Sequence, residues 1–126
     1  MYPTVRLRRT RKHEWLRDLV SENALLPHHL ILPLFIIEGL EAREEIKTMP
    51  GVFRLSIDQI ILEAKKAAAL GIKAIALFPV VNSTLKSEDA HEAYNPDNLI
   101  CRTIKALNIE KIDIGIICDV ALDPYT

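Results

Sequence analysis

Two hydrophobic rhythms alternate along the chain. Predominantly apolar runs of strand length occur at 30–37 "LILPLFII", 72–79 "IKAIALFP" and 112–119 "IDIGIICD". Between them, apolar residues recur every three or four positions, the spacing of a helix with one buried face. In "SIDQIILEAKKAAALG" Ile57, Ile60, Ile61, Ala64 and Ala68 form that face. Ser56 and Gln59 predict a capping box at its start, and Gly71 a left-handed stop. In "NPDNLICRTIKALN" Leu99, Ile100, Thr103, Ile104 and Leu107 line up, with Asn95 as the expected cap and Pro96 as the expected first helical residue. A shorter helix is predicted from Trp15, Leu16, Leu19 and Val20, after an extended, exposed stretch over residues 1–12.

Continuously apolar strands separated by amphipathic helices imply parallel strands buried under helices. Right-handed crossovers then set three strands side by side. Pro33 inside the first run predicts an irregularity or a missing ladder bond. The expected architecture is α/β: three strands and two helices, an incomplete object whether the parent is a (β/α)8 barrel or an open doubly wound sheet. The division is an N-terminal arm with a short helix over 1–29 and a partial domain over 30–126.

Side chains alternate across a strand, so Ile112, Ile114, Ile116 and Cys118 share one face of the third run. Asp113, Gly115, Ile117 and Asp119 share the other, which suits the crowded interior of a closed barrel. Asp119 then points inward at the carboxyl end of a parallel strand, where such folds place their chemistry. The competing reading is a turn cap, and Asp123 before Pro124 is a common turn initiator. The loop 80–95 "VVNSTLKSEDAHEAYN" is too long for a simple connection. Its Lys86, Asp89 and His91 lack a recognisable partner, so a solvated loop is expected there.

Composition narrows the function classes. With 126 residues, 49% apolar and 26% charged, the chain reads as at most one folded domain. A net charge of −1 gives no reason to expect nucleic acid, and the only concentrated positive charge is Arg6, Arg8, Arg9, Arg11 and Lys12. Cys101 and Cys118 are too few for a disulfide scaffold, which fits a reducing cytoplasm. No apolar run approaches the roughly 20 residues of a membrane span. No glycine pattern marks a nucleotide site, and His13, His28 and His29 have no ligand at metal spacing.

In order and spacing, "RLRRTRK", "LILPLFI", "MPGVFRLSID", "GIKAIALFPV" and above all "CDVALDPYT" resemble the N-terminal part of the porphobilinogen synthase (5-aminolevulinate dehydratase) family, across essentially the whole chain. The resemblance implies a (β/α)8 TIM barrel, here its first three strands and two helices. It also implies a homo-oligomer assembled through the N-terminal arm, with Arg6, Arg8, Arg9 and Arg11 at the subunit interface. The implied reaction joins two molecules of 5-aminolevulinate into porphobilinogen, a step of tetrapyrrole and heme synthesis. Family members hold their substrates as Schiff bases on lysines whose amine pKa is lowered by burial and nearby positive charge. Those lysines are expected beyond Thr126, so residues 1–126 alone are expected to be inactive.

Asp119 matches the family's active-site aspartate, and Asp123 the carboxylate of its aspartate-rich variant; Phe78 and Tyr125 are the expected substrate-binding residues. Zinc-dependent members carry cysteines where this chain has Ala121 and Asp123. No catalytic zinc is therefore expected, and magnesium is expected at a separate site outside this segment. Two other readings stand beside this one. A receiver-like phospho-accepting module would need an acidic pair after the first strand, where only Glu38 stands. A non-catalytic remnant would serve as an assembly partner.

Overall fold

The computed structural model describes residues 2–126; Met1, the first residue of the expected arm, lies outside the described residues. Its strands are β1 (Ile31–Ile36), β2 (Arg43–Glu45), β3 (Phe53–Leu55), β4 (Ala74–Pro79) and β5 (Gly115–Cys118). The helices are α1 (Glu14–Leu19), α2 (Ile57–Ala69) and α3 (Leu99–Ile109). All five strands form one mixed sheet in the order β2-β3-β1-β4-β5. The three apolar runs lie adjacent and parallel as β1, β4 and β5, the order expected from right-handed crossovers.

Two strands had no counterpart in the sequence pattern. The connection after β1 folds into an antiparallel hairpin, and its second arm β3 pairs parallel to β1. Both are three residues long, and β2 is wholly exposed, so neither shows the apolar run that marks a buried strand. The β3 ladder reaches only Phe35 and Ile36 of β1. Pro33 therefore sits where β1 is paired on the β4 side alone, so its missing N–H costs the sheet little.

Both long helices cover one face of the sheet. α2 packs on β1 and β3, and α3 on β4. The shared core joins Leu34, Ile36, Leu55, Ile75 and Leu77 of the strands to Ile60, Ala64, Leu99 and Leu107 of the helices. Lys65 of α2 donates to Glu110 after α3 at 2.6 Å, tying the helices together on the outside. Gly71 ends α2 at φ +86°, as its sequence predicts.

The helix starts differ from expectation. Ser56 is the cap residue of α2, but no capping box forms. Its buried hydroxyl donates to Asp58 at 2.6 Å and accepts from the Ala42 amide at 2.9 Å, so it serves the hairpin instead of the helix end. Gln59 likewise turns to Asp58, at 3.0 Å. α3 is capped by Asn98 in place of Asn95: the Asn98 side chain accepts from the Cys101 amide at 2.8 Å. Asn95 and Pro96 belong to the preceding turn, where the Asn95 carbonyl accepts from the Asn98 amide at 3.1 Å.

The stretch before β1 stays apart from this core. A short 3-10 turn, Arg9–Arg11, interrupts the expected extended run. Trp15 and Leu19 of α1 are exposed, and α1 buries none of its residues. Among the described residues, no helix is long and apolar enough to cross a membrane.

Candidate active site

Alternation along the parallel strands sorts the residues between two faces. On β1 the even-numbered residues go under the helices; on β4 the odd-numbered ones do. Among the described residues, no helix lies over the opposite face. At its carboxyl end, β1 Phe35 is level with β4 Phe78, their ring centroids 5.8 Å apart and their planes tilted by 33°. On the far side of Phe35, β3 contributes Arg54 at the same level.

β5 continues this row. Ile112, Ile114, Ile116 and Cys118 pack against the helix-side core, while Asp113, Gly115, Ile117 and Asp119 are exposed. Regular strand geometry begins only at Gly115, so the ordered strand is shorter than the apolar run. Gly115 donates to the Lys73 carbonyl at 2.8 Å, and a Cβ there would stand 3.2 Å from that same oxygen. A side chain at 115 would push the strand start outward. Leu77 pairs with Cys118, which puts Asp119 one step on, beside Phe78. Arg54, Phe35, Phe78 and Asp119 thus lie in sequence across the mouth of the uncovered face: a cation, two rings and a carboxylate.

Asp119 makes no hydrogen bond to another side chain among the described residues, and its carboxylate is open to solvent. Asp123 begins a 3-10 turn, Asp123–Tyr125, with Pro124 in its first turn. Its side chain is exposed and its carbonyl accepts from the Thr126 hydroxyl at 3.2 Å. Tyr125 is buried against the 80–95 loop, and burial, with Cys101 and Glu92 adding to it, pushes its phenol above the ordinary value. Burial also raises the Cys118 thiol, which keeps it an inert packing group on the helix side. Of the four expected site residues, Asp119 and Phe78 share the uncovered face, Asp123 lies on the turn beyond, and Tyr125 packs beneath that turn.

The 80–95 loop is more organised than a solvated connection. It contains the 3-10 turns Ser83–Leu85 and His91–Tyr94. Ser87 donates to Asp89 at 2.6 Å and lies 2.7 Å from His91 Nδ1, so Asp89 and His91 have the partner that sequence spacing did not reveal. Lys86 donates to the Thr126 carbonyl at 3.3 Å. The signal that could have found Arg54 was its place in "MPGVFR", a motif otherwise read only as a family marker. Glu38, at the end of β1, is paired with Arg102 of α3, a structural engagement in place of the free acid that a receiver site requires. Arg6, Arg8, Arg9 and Arg11 are all exposed, and none forms an ion pair among the described residues. Arg6 stands over the Tyr2 ring at 5.8 Å.

Known proteins resemble this chain along nearly its whole length. The family model for delta-aminolevulinic acid dehydratase matches residues 4–126. A delta-aminolevulinic acid dehydratase of Bradyrhizobium diazoefficiens is 51% identical over 97% of this chain and 35% of its own length. A chloroplastic one from Selaginella martensii is 46% identical over 98% of this chain and 30% of its own. The crystal structure of the delta-aminolevulinic acid dehydratase (porphobilinogen synthase) of Toxoplasma gondii, in complex with its reaction product porphobilinogen, superposes with a TM-score of 0.87 at 43% identity. That superposition covers 97% of this chain and 35% of the other. The chain therefore spans about a third of the length of the relatives it matches. With nearly every residue inside the family match and the strand-end row in place, the chain belongs to the delta-aminolevulinic acid dehydratase family.

Proposed function

We propose that this chain is the N-terminal part of a (β/α)8 porphobilinogen synthase, contributing the first three parallel strands and two helices of the barrel and one wall of its active site. The observation that carries the reading is the strand-end row: Asp119 and Phe78 at the carboxyl ends of parallel strands, on the face that no helix covers among the described residues. That is the interior and the catalytic end of such a barrel. The substrate is 5-aminolevulinate, two molecules of which condense to porphobilinogen with release of two waters. The Schiff-base lysines lie outside residues 1–126.

Within this wall, Asp119 holds the substrate ammonium group and passes protons during condensation and ring closure. Asp123, one turn on, supplies a second carboxylate for the same cation. Phe78, stacked beside Phe35, gives the carbon chain an apolar wall. Tyr125 was expected to touch substrate; its burial fits a supporting role under the turn that carries Asp123. At the position of the zinc-binding thiolates, Ala121 offers no donor and Asp123 offers only oxygen, a set unsuited to a thiolate-type zinc site. The chemistry of this segment thus proceeds without catalytic zinc, and magnesium binds at a separate site outside it. The exposed Arg6, Arg8, Arg9 and Arg11 contact a neighbouring subunit of a homo-oligomer, and the protein works in the cytoplasm.

The test is turnover of 5-aminolevulinate by the full-length protein, followed as porphobilinogen. Asp119→Ala lowers turnover by about 10²-fold or more; a loss under about threefold would demote Asp119 to a turn cap. A product comprising residues 1–126 alone forms no porphobilinogen. Turnover from it would overturn the placement of the lysines elsewhere.

A further inference from the structure

We infer that Ser87 is a positioning residue for the turn that carries Asp123: it clamps the 80–95 loop onto the Asp123–Tyr125 turn. The inference rests on the function proposed above. Its starting point is the backbone. The Ser87 amide donates to the Tyr125 carbonyl at 3.1 Å, the one backbone hydrogen bond between the loop and this turn among the described residues. The contact lies two residues after Asp123 and six after Asp119.

The Ser87 side chain fixes where that amide points. Its Oγ donates to Asp89 Oδ1 at 2.6 Å and accepts from the His91 amide at 3.2 Å. The hydroxyl has a single proton, and Asp89 takes it; the 2.7 Å contact with His91 Nδ1 therefore requires Nδ1 to carry the proton and donate. Three bonds converge on one hydroxyl, and the Ser87 carbonyl accepts from the Ala90 amide at 3.1 Å. The resulting tight loop bends through Ala90, which is buried with φ +52° in the left-handed region. A non-glycine residue held there needs surrounding contacts to keep it. Such a loop is a rigid jaw. It closes on Tyr125, whose ring is buried beside the loop, while Lys86 reaches the next carbonyl.

Without the hydroxyl, the Ser87 amide loses its orientation and the turn under Asp123 gains freedom, while the core and Asp119 stay in place. The expected consequence is a binding defect. In the full-length enzyme, Ser87→Ala raises the KM for 5-aminolevulinate about tenfold and lowers kcat by less than threefold, a split that a general loss of folded protein would not produce. Ser87→Thr retains the hydroxyl and restores KM to within about twofold of wild type. Asp89→Ala, at an exposed side chain, raises KM in the same direction by a smaller factor, and stands in for Ser87→Ala if that variant does not fold.

Amide hydrogen exchange over residues 119–126 of the same full-length proteins gives a readout independent of the reaction. It speeds up in Ser87→Ala and returns to wild type in Ser87→Thr. Unchanged KM and unchanged exchange in both Ser87→Ala and Asp89→Ala would overturn the inference, as would faster exchange with unaltered KM. A wild-type protein that makes no porphobilinogen would refute the proposed function instead, and the exchange measurement would still decide whether Ser87 clamps the turn.

Discussion

Asn98 holds two structures with one side chain, and its removal separates them. The residue is 4% exposed. Its Oδ1 accepts from the Cys101 amide at 2.8 Å, capping α3, and its Nδ2 donates to the Glu92 and Ala93 carbonyls, each at 3.2 Å. Losing an N-cap costs about 1 kcal/mol. The Glu92 carbonyl keeps a second partner in the Asn95 amide, whereas the Ala93 carbonyl is left with none from the protein, at a cost of about 1–2 kcal/mol. Asn98→Ala should thus lower the opening free energy of the first turn of α3 by about 1 kcal/mol and that of 91–94 by about 1–2 kcal/mol, or roughly 5-fold and roughly 5- to 30-fold faster amide exchange. The assay is hydrogen exchange on the full-length protein, resolving the first turn of α3 from the turn His91–Tyr94. Asn98→Asp retains the cap acceptor and loses both donors, so it should loosen 91–94 and spare 99–101. If Asn98→Ala changes neither segment by more than about threefold, or if the aspartate loosens both alike, the double role assigned to Asn98 is wrong.

Two further outcomes follow from the helix that opens against the hairpin. Asp58 accepts from the Ser56 hydroxyl, from Gln59 and from the Glu41 amide, and these bonds, the serine first, hold its carboxyl below the ordinary value. A lowered folded-state pKa contributes stability above the unfolded value that is lost as pH falls through the folded one. In urea titrations of the full-length protein, wild type should therefore exceed Asp58→Asn above about pH 5, with the gap closing below about pH 3.8. A gap that widens on acidification would reverse the sign argued here. Ile60 is fully buried between α2 and the sheet, and Ile60→Ala should cost about 2–5 kcal/mol in the same titrations at neutral pH; a loss under about 1 kcal/mol would mean that the helix–sheet core collapses to fill the gap.

What the sequence could convey depended on how each structural choice is recorded in it. Burial under the helices leaves a repeated mark, so β1, β4, β5, α2 and α3 were all legible from spacing. Ile60, Ala64, Leu99, Thr103 and Leu107 lie where the periodicity placed them. The β2–β3 hairpin leaves almost none, because three-residue strands are too short for alternation to show. Caps failed for a related reason. The Ser56 hydroxyl had a competing partner distant in sequence, the Ala42 backbone, and Asn98 took the cap from Asn95 because its amide could also reach the Glu92 and Ala93 carbonyls of the preceding turn. Local motifs such as S-x-x-Q or N-P cannot register such partners.

The site shows the same division. Asp119 could be placed from strand parity, since polar positions mark one face of its run, whereas Phe78 sits in a run apolar on both faces and was named only through the family resemblance. Parity could not show that Arg54 ends the same row, because β3 was not visible. Nor could it show that Ser87, Asp89 and His91 converge, since their spacing of two and four matters only after the chain bends at Ala90.

The parity argument also explains why the start of β5 is under such close constraint. A slip of one residue would exchange the two faces of the strand, sending Cys118 into the open row and Asp119 under α3. Two features oppose that slip. The helix-side residues Ile112, Ile114, Ile116 and Cys118 are already packed against the core, so a slip would bury Asp113 and Asp119 in their place, and burying unpaired carboxylates is unfavourable. At the strand start, Gly115 is bonded to the Lys73 carbonyl at 2.8 Å in a space that any larger residue would enter at 3.2 Å. The glycine thereby marks the register at one end of the strand while the hydrophobic pattern enforces it along the length. The candidate carboxylate at the other end is carried into the open face by both.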